Sequence, residues 1–168
     1  HSDLRRQRQM CIRDSVMNAI VENKFDANLS IKPTAFGLLI DKQQGLDNIE
    51  SLVRQAAAHD MFVRLDMEDH RVTTETIQVV LDLHKKGLTN VGTVLQGRLH
   101  RTPDDIRSVA EKLGGNADYR ICKGIYLEPE DIAFTSRSDI RTKTNDAIRM
   151  ALEPVSYTHL TLPTKVTV

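Results

Sequence analysis

The sequence predicts an α/β chain: about four consecutive parallel βα units of a (β/α)8, TIM-type barrel. Three observations lead there. Short β-rich apolar runs alternate with longer segments of helical period, the pattern of parallel βα units. Polar residues close successive strand candidates at Lys32, Asp66, Gln96 and Lys123, with spacings of 34, 30 and 27 residues that suit βαβ repeats. The chain has 168 residues, whereas a complete eight-unit barrel takes about 250. A partial barrel is therefore expected, with the apolar inner faces of its outer strands lacking neighbours.

The first strand is read at Leu29-Ser30-Ile31-Lys32, followed after a loop by a helix from Leu46 to His59. In that helix Ile49, Leu52, Val53 and Ala56 share one face, and Asp47 is the expected N-cap. The second strand runs from Met61 to Asp66. Its helix, Thr73 to Lys86, places Ile77, Val80, Leu81 and His84 at i, i+3, i+4 and i+7, with Thr73 or Thr74 capping it and Gly87 stopping it. The third strand is Val91 to Gln96. Its helix opens at Thr102-Pro103-Asp104-Asp105, proline at the first helical position, and stops at Gly114-Gly115. The fourth strand, Tyr119 to Lys123, leads through a loop to about Arg137 and a last helix from Asp139 to Leu152.

Composition is that of a globular protein, 40% hydrophobic and 27% charged, and no apolar run approaches the length needed to span a bilayer. Lys plus Arg equals Asp plus Glu at 23 each, so no bulk basic field points to nucleic acid. Cys11 and Cys122 make neither a disulfide framework nor a metal cluster, which fits a reducing, cytoplasmic setting, and no signal peptide is read.

The two ends are related as no folding requirement would produce. Gln9-Met10-Cys11-Ile12-Arg13-Asp14 can be encoded by CAG ATG TGT ATA AGA GAC, whose reverse complement encodes Val155-Ser156-Tyr157-Thr158-His159-Leu160, and the pairing continues outward to His1 and Val168. Such an inverted repeat looks like translated transposon or adaptor sequence. Residues 1–14 and 155–168 are therefore set aside as artefactual tails around a barrel segment at 15–154. The tails carry five basic residues (Arg5, Arg6, Arg8, Arg13, Lys165) and two acidic ones (Asp3, Asp14), so the remainder is mildly acidic.

In parallel barrels the working site lies at the C-terminal ends of the strands. Those positions are polar here: Lys32; Asp66 with Glu68 and Asp69; Gln96 and Arg98; Arg120 and Lys123. Asp66-Met67-Glu68-Asp69-His70 offers metal-ligand types, but the surrounding cations Lys32, Arg98, Arg120 and Lys123 oppose a metal ion, and none is assigned. Cys122 has no nearby base and reads as a packed core thiol. His59, His84 and His100 read as structural, and Gly114-Gly115 as a helix stop rather than a dinucleotide fingerprint.

Taken together, four segments in order resemble the proline dehydrogenase family: Leu29-Ser30-Ile31-Lys32, Val63-Arg64-Leu65-Asp66-Met67-Glu68-Asp69, Asn90-Val91-Gly92-Thr93-Val94-Leu95-Gln96 and Arg120-Ile121-Cys122-Lys123-Gly124-Ile125-Tyr126. The resemblance implies oxidation of L-proline to 1-pyrroline-5-carboxylate, with FAD as hydride acceptor and a membrane quinone reoxidising it. It also implies a cytoplasmic protein whose full-length parent associates peripherally with the inner face of the membrane. Lys32 is similar to the lysine contacting the substrate carboxylate, and Tyr126 to a tyrosine lining the proline pocket. Asp66 is similar to the active-site aspartate, and Arg120 to the arginine near the flavin's reactive edge, where a positive charge favours the anionic reduced ring. Met67, Gln96 and the Lys123-Gly124-Ile125 backbone match FAD-contacting positions.

Three departures stand out: Ile125 where the family commonly has alanine, Gly97-Arg98 in place of Ala-Tyr, and Pro33 where leucine is common, with an expected shortening of the first strand. On this reading the chain stops before the family's last two strands and the helix whose arginine pair grips the proline carboxylate, so by itself it is expected to be inactive. Two other readings stay open. One is a different βα-barrel enzyme, a lyase or aldolase using Lys32 or Lys123, which would expect a phosphate-holding glycine-rich loop near later strands. The other is a non-catalytic βα-repeat binding module, for which the insert has few aromatics to build a surface.

Overall fold

A computed structural model describes residues 2–152, with side chains from Cys11 onward. Four parallel strands alternate with helices in one sheet of order β1-β2-β3-β4. The described residues divide into two compact units after Thr93, inside the third strand.

The first unit opens with helix α1, Ser2–Asn23. No helix is expected there from the sequence, because residues 2–14 read as a tail and carry no apolar stripe. Cys11 is exposed and Ile12 is 44% exposed, whereas Met17 is buried. The segment 155–168 lies outside the described residues. Strand β1, Leu29–Ile31, pairs in parallel with β2, Val63–Leu65, in the register Leu29 to Val63 and Ile31 to Leu65. β2 in turn pairs with Val91–Thr93 of β3, Val91–Gln96. β1 stops before Lys32, and a 3-10 turn begins at Pro33 and runs to Phe36. Proline lacks the N–H a continued ladder needs, so the expected shortening is seen.

Two helices cover this part of the sheet. α2, Lys42–Ala57, buries Ile49, Leu52, Val53 and Ala56, and α3, His70–Lys85, buries Val72, Ile77, Val80, Leu81 and Leu83 among others. Ile49 and Val53 are fully buried, each worth roughly 1.5–3 kcal/mol. Both helices start earlier than their apolar period predicts. Asp41, not Asp47, caps α2 by accepting from the Gln44 amide; Asp69, not Thr73 or Thr74, caps α3 by accepting from the Arg71 amide at 3.0 Å. Gly87 ends the α3 segment at φ +80 as expected. His84 contacts the Val91 carbonyl through Nε2 at 2.8 Å, and Asn90 donates to the carbonyls of Val53 and Met61, so both tie the turn into β3 to its neighbours.

In the second unit β3 continues to Gln96 and α4, Thr102–Leu113, follows with Pro103 in its first turn. Every residue of β3 is buried, which is why its boundaries match the apolar run. β4, Tyr119–Cys122, lies at the outer position of the sheet and is less covered than β3. Cys122 is accordingly half-buried, not the packed core thiol its sequence neighbours suggested. α5, Arg137–Ala151, is capped by Ser136, whose Oγ accepts from the Asp139 amide at 3.1 Å. It buries Thr144, Ala147 and Ala151. Gly97 makes its approach possible: a Cβ there would lie 2.5 Å from Thr144 Cα and 2.4 Å from its Oγ1.

Candidate active site

Each unit presents polar side chains at the C-terminal ends of its strands, and the two groups differ in how they are held. In the first unit Lys32 directly follows β1 and Asp66 directly follows β2. The register pairs Ser30 with Arg64, so by the two-residue period Ser30, Lys32, Arg64 and Asp66 share one face. Three contacts fix the aspartate there. Its amide donates to the Ile31 carbonyl at 2.8 Å, Ser30 Oγ donates to Oδ1 at 2.7 Å, and the Lys32 ammonium stands 3.7 Å from Oδ2. The Lys32 side chain is 54% exposed against 21% for Asp66. The ion pair is thus open to water and worth no more than about 1 kcal/mol, so an incoming anion can share the ammonium at little cost.

Behind this pair the chain is clamped. Glu68 is buried, and its carboxylate accepts from Thr34 Oγ1 at 2.6 Å and from the Thr34 amide at 3.0 Å. That holds the turn after Lys32 to the loop after Asp66, so the two strand ends cannot drift apart independently. The next carboxylate is spent on the helix: Asp69 caps α3 and pairs with Arg71 at 2.6 Å, and this guanidinium holds its carboxyl below the ordinary carboxylate range. The acidic run Asp66, Glu68 and Asp69 therefore has three separate tasks. Met67 is buried between two of them.

In the second unit Gln96 ends β3 almost fully buried, and Arg120, Lys123 and Ile125 are exposed on and after β4. Gly124 turns at φ +92 directly against Gln96: a Cβ would come within 2.3 Å of its Oε1 and 2.7 Å of Arg98 Cδ. Only glycine combines that dihedral with that approach. Arg98, expected among the rim charges, is buried instead. Its guanidinium donates to the main-chain carbonyls of Tyr126 and, at 3.5 Å, Phe134, so it faces the β4–α5 loop and not solvent. Tyr126 is half-buried. His100, expected to be structural, contacts the Asp131 carbonyl and meets the Phe134 ring edge-on at 4.4 Å; His59 is exposed.

Two contributors escaped the sequence reading. Ser30 lies two residues before Lys32, so strand alternation could have placed it beside the site once the register was known. Thr34 had no such signal, because its role depends on the turn that Pro33 imposes. Among the described residues no helix is long and apolar enough to cross a membrane.

The family model described as Proline dehydrogenase matches residues 4–144, through all four strand ends. Proline dehydrogenase 2 of Bacillus subtilis (strain 168) is 32% identical over 154 residues, covering 92% of this chain and 49% of the relative. Proline dehydrogenase 1 of Bacillus subtilis subsp. natto is 28% identical over 142 residues, covering 84% and 46%. The chain thus spans about half the length of these curated relatives. Among solved structures, proline utilization A (PutA) from Bdellovibrio bacteriovorus inactivated by N-propargylglycine superposes with a TM-score of 0.80 at 18% identity, covering 92% of this chain and 21% of that one, and so shares the fold. A match that runs through every strand of the sheet leaves one conclusion: the chain belongs to the proline dehydrogenase family.

Proposed function

We propose that the whole protein oxidises L-proline to 1-pyrroline-5-carboxylate with FAD as hydride acceptor and a membrane quinone as final acceptor. The observation that carries this reading is the family match through residues that end the strands, with Lys32 and Asp66 set side by side at 3.7 Å. Lys32 binds the substrate carboxylate; its exposed ammonium and weak pairing leave it available for an anion. Asp66 is held in one orientation by Ser30, which suits a group that must order the substrate amine and ring. Tyr126 lines the pocket for the proline ring.

The residues assigned to the cofactor fit its chemistry. Arg120 and Lys123 supply exposed positive charge, and exposed Ile125 supplies apolar surface for a ring system. Gln96, Met67 and the main chain of Lys123-Gly124-Ile125 complete the set, Gly124 keeping the backbone at Gln96 free of a side chain. When bound, FAD supplies the two-electron acceptor for the hydride lost by proline. Arg120 would place fixed positive charge beside the ring system.

The test compares this chain with a chimera completed by the remaining half of the Bacillus subtilis relative, both assayed with proline, FAD and an artificial electron acceptor. The chain alone should not turn over, because half a site neither encloses the substrate nor excludes water. The completed chimera should. Within it Lys32→Met should raise KM for proline at least ten-fold, and Asp66→Asn should lower kcat. A folded chimera without proline oxidation, or one indifferent to both substitutions, overturns the assignment.

A further inference from the structure

We propose that Arg98 is a positioning residue: a buried guanidinium latch that sets the 123–126 turn and with it the place of Tyr126. Its environment is unusual for an arginine. The residue is 7% exposed, its hydrogen bonds go to main-chain carbonyls of Tyr126 and Phe134, and its Nε is buried with no hydrogen-bond partner among the described residues. A buried cation left partly unsatisfied is a poor device for stability alone. It is a good device for position, since the planar fork reaches two oxygens at fixed angles where a lysine would reach one.

The main chain of the same residue works on the same loop. The Arg98 amide donates to the Lys123 carbonyl at 3.1 Å, and the Arg98 carbonyl accepts from the Phe134 amide at 2.8 Å. Residues 123, 126 and 134 are therefore all held from one position on the adjoining segment. The far half of the loop has further ties, from His100 N to Ile132 O and from Ile132 and Ala133 N to Pro129 O. In the near half Gly124 is wrapped against the Arg98 stem, and the latch holds Lys123 and Tyr126 on either side of it. Ile125 and Leu127 on either side of Tyr126 are 88% and 97% exposed, so their side chains do not hold Tyr126 by packing; the next buried residue is Glu128.

That residues 123–126 serve flavin and proline rests on the proposed function; the latch does not. Hydrogen–deuterium exchange on the chain separates the two. In Arg98→Met, amides of 124–128 should exchange at least ten-fold faster relative to those of α4 in the same protein, with Arg98→Lys intermediate and Arg107→Met, on exposed α4 surface, unchanged. Should Arg98→Met fail to fold, Arg98→Lys is judged by the same ratio. Equal acceleration of loop and α4, or none in a folded variant, overturns the latch. Binding of FAD to the completed chimera, followed by quenching of its fluorescence, is the second readout. Arg98→Met should weaken it at least ten-fold, and FAD binding that is unaltered while the loop is loosened overturns the positioning role. A completed chimera that binds no FAD, with the loop effect intact, leaves the latch standing and counts against the cofactor assignment.

Discussion

Replacing Gly124 by alanine tests how tightly the β4–α5 loop is built around Arg98. Two costs arise. The backbone sits at φ +92, where an L-residue with a Cβ is worse off than glycine by roughly 1–2 kcal/mol. The new methyl would also fall 2.3 Å from Gln96 Oε1 and 2.7 and 2.9 Å from Arg98 Cδ and Cγ, an overpacking worth about 1–3 kcal/mol. A side-chain end can usually step aside. Here the guanidinium is anchored at both Tyr126 and Phe134, so the stem has little freedom to yield. The expected loss is about 2–5 kcal/mol by urea denaturation, a large part of a typical domain's stability. A double-mutant cycle with Arg98→Ala divides it: without the stem the clash with Gln96 Oε1 remains, and the cost of Gly124→Ala should fall by about 1 kcal/mol. Equal costs in the two backgrounds, within about 0.5 kcal/mol, would refute the reasoning, because the strain would then lie in the backbone and against Gln96 rather than against the arginine stem.

Gly97→Ala should lose about 1–3 kcal/mol, and Thr144→Ala should not rescue it, because Thr144 Cα itself lies 2.5 Å from the added carbon; full rescue on thermal melting would show that only the hydroxyl was in the way. Glu68→Gln should cost about 1–3 kcal/mol, since both carboxylate oxygens accept from Thr34 and an amide nitrogen facing either donor breaks one bond; an unchanged urea midpoint contradicts this. Asp69→Asn keeps the cap acceptor for α3 but removes the pair with Arg71. Because the folded carboxyl is held below its ordinary range, its contribution is present above the unfolded value and lost as pH falls through the folded one. The variant should therefore be less stable by under about 1 kcal/mol near neutral pH and should converge with the parent in acid. A gap that widens on acidification would reverse the sign of the argument.

How far the sequence could be read depended on whether a feature is carried by side-chain pattern or by backbone. β3 was legible to the residue because it is buried on both faces, so its apolar run and its strand coincide. The starts of α2 and α3 were read late. Their first turns, Lys42-Gln43-Gln44 and His70-Arg71, are exposed, so the apolar period begins only after the helix has already started. α1 was missed because residues 2–14 were read as a tail, and β4 was read one residue long. At the site, Lys32 and Asp66 stood out because a charge closing an apolar strand is conspicuous, whereas Ser30 became meaningful only through the β1–β2 register. Arg98 was visible but misread as a rim charge. A cation expected to seek a carboxylate or water has instead found the carbonyls of Tyr126 and Phe134. Every residue carries a carbonyl, so no pattern of residue types marks those two as partners. Only the turn imposed by Gly124 at φ +92, a backbone property, brings the loop against the arginine stem. The glycine was legible as a likeness to cofactor-contacting backbone, and the structure gives it a second requirement that the likeness did not contain.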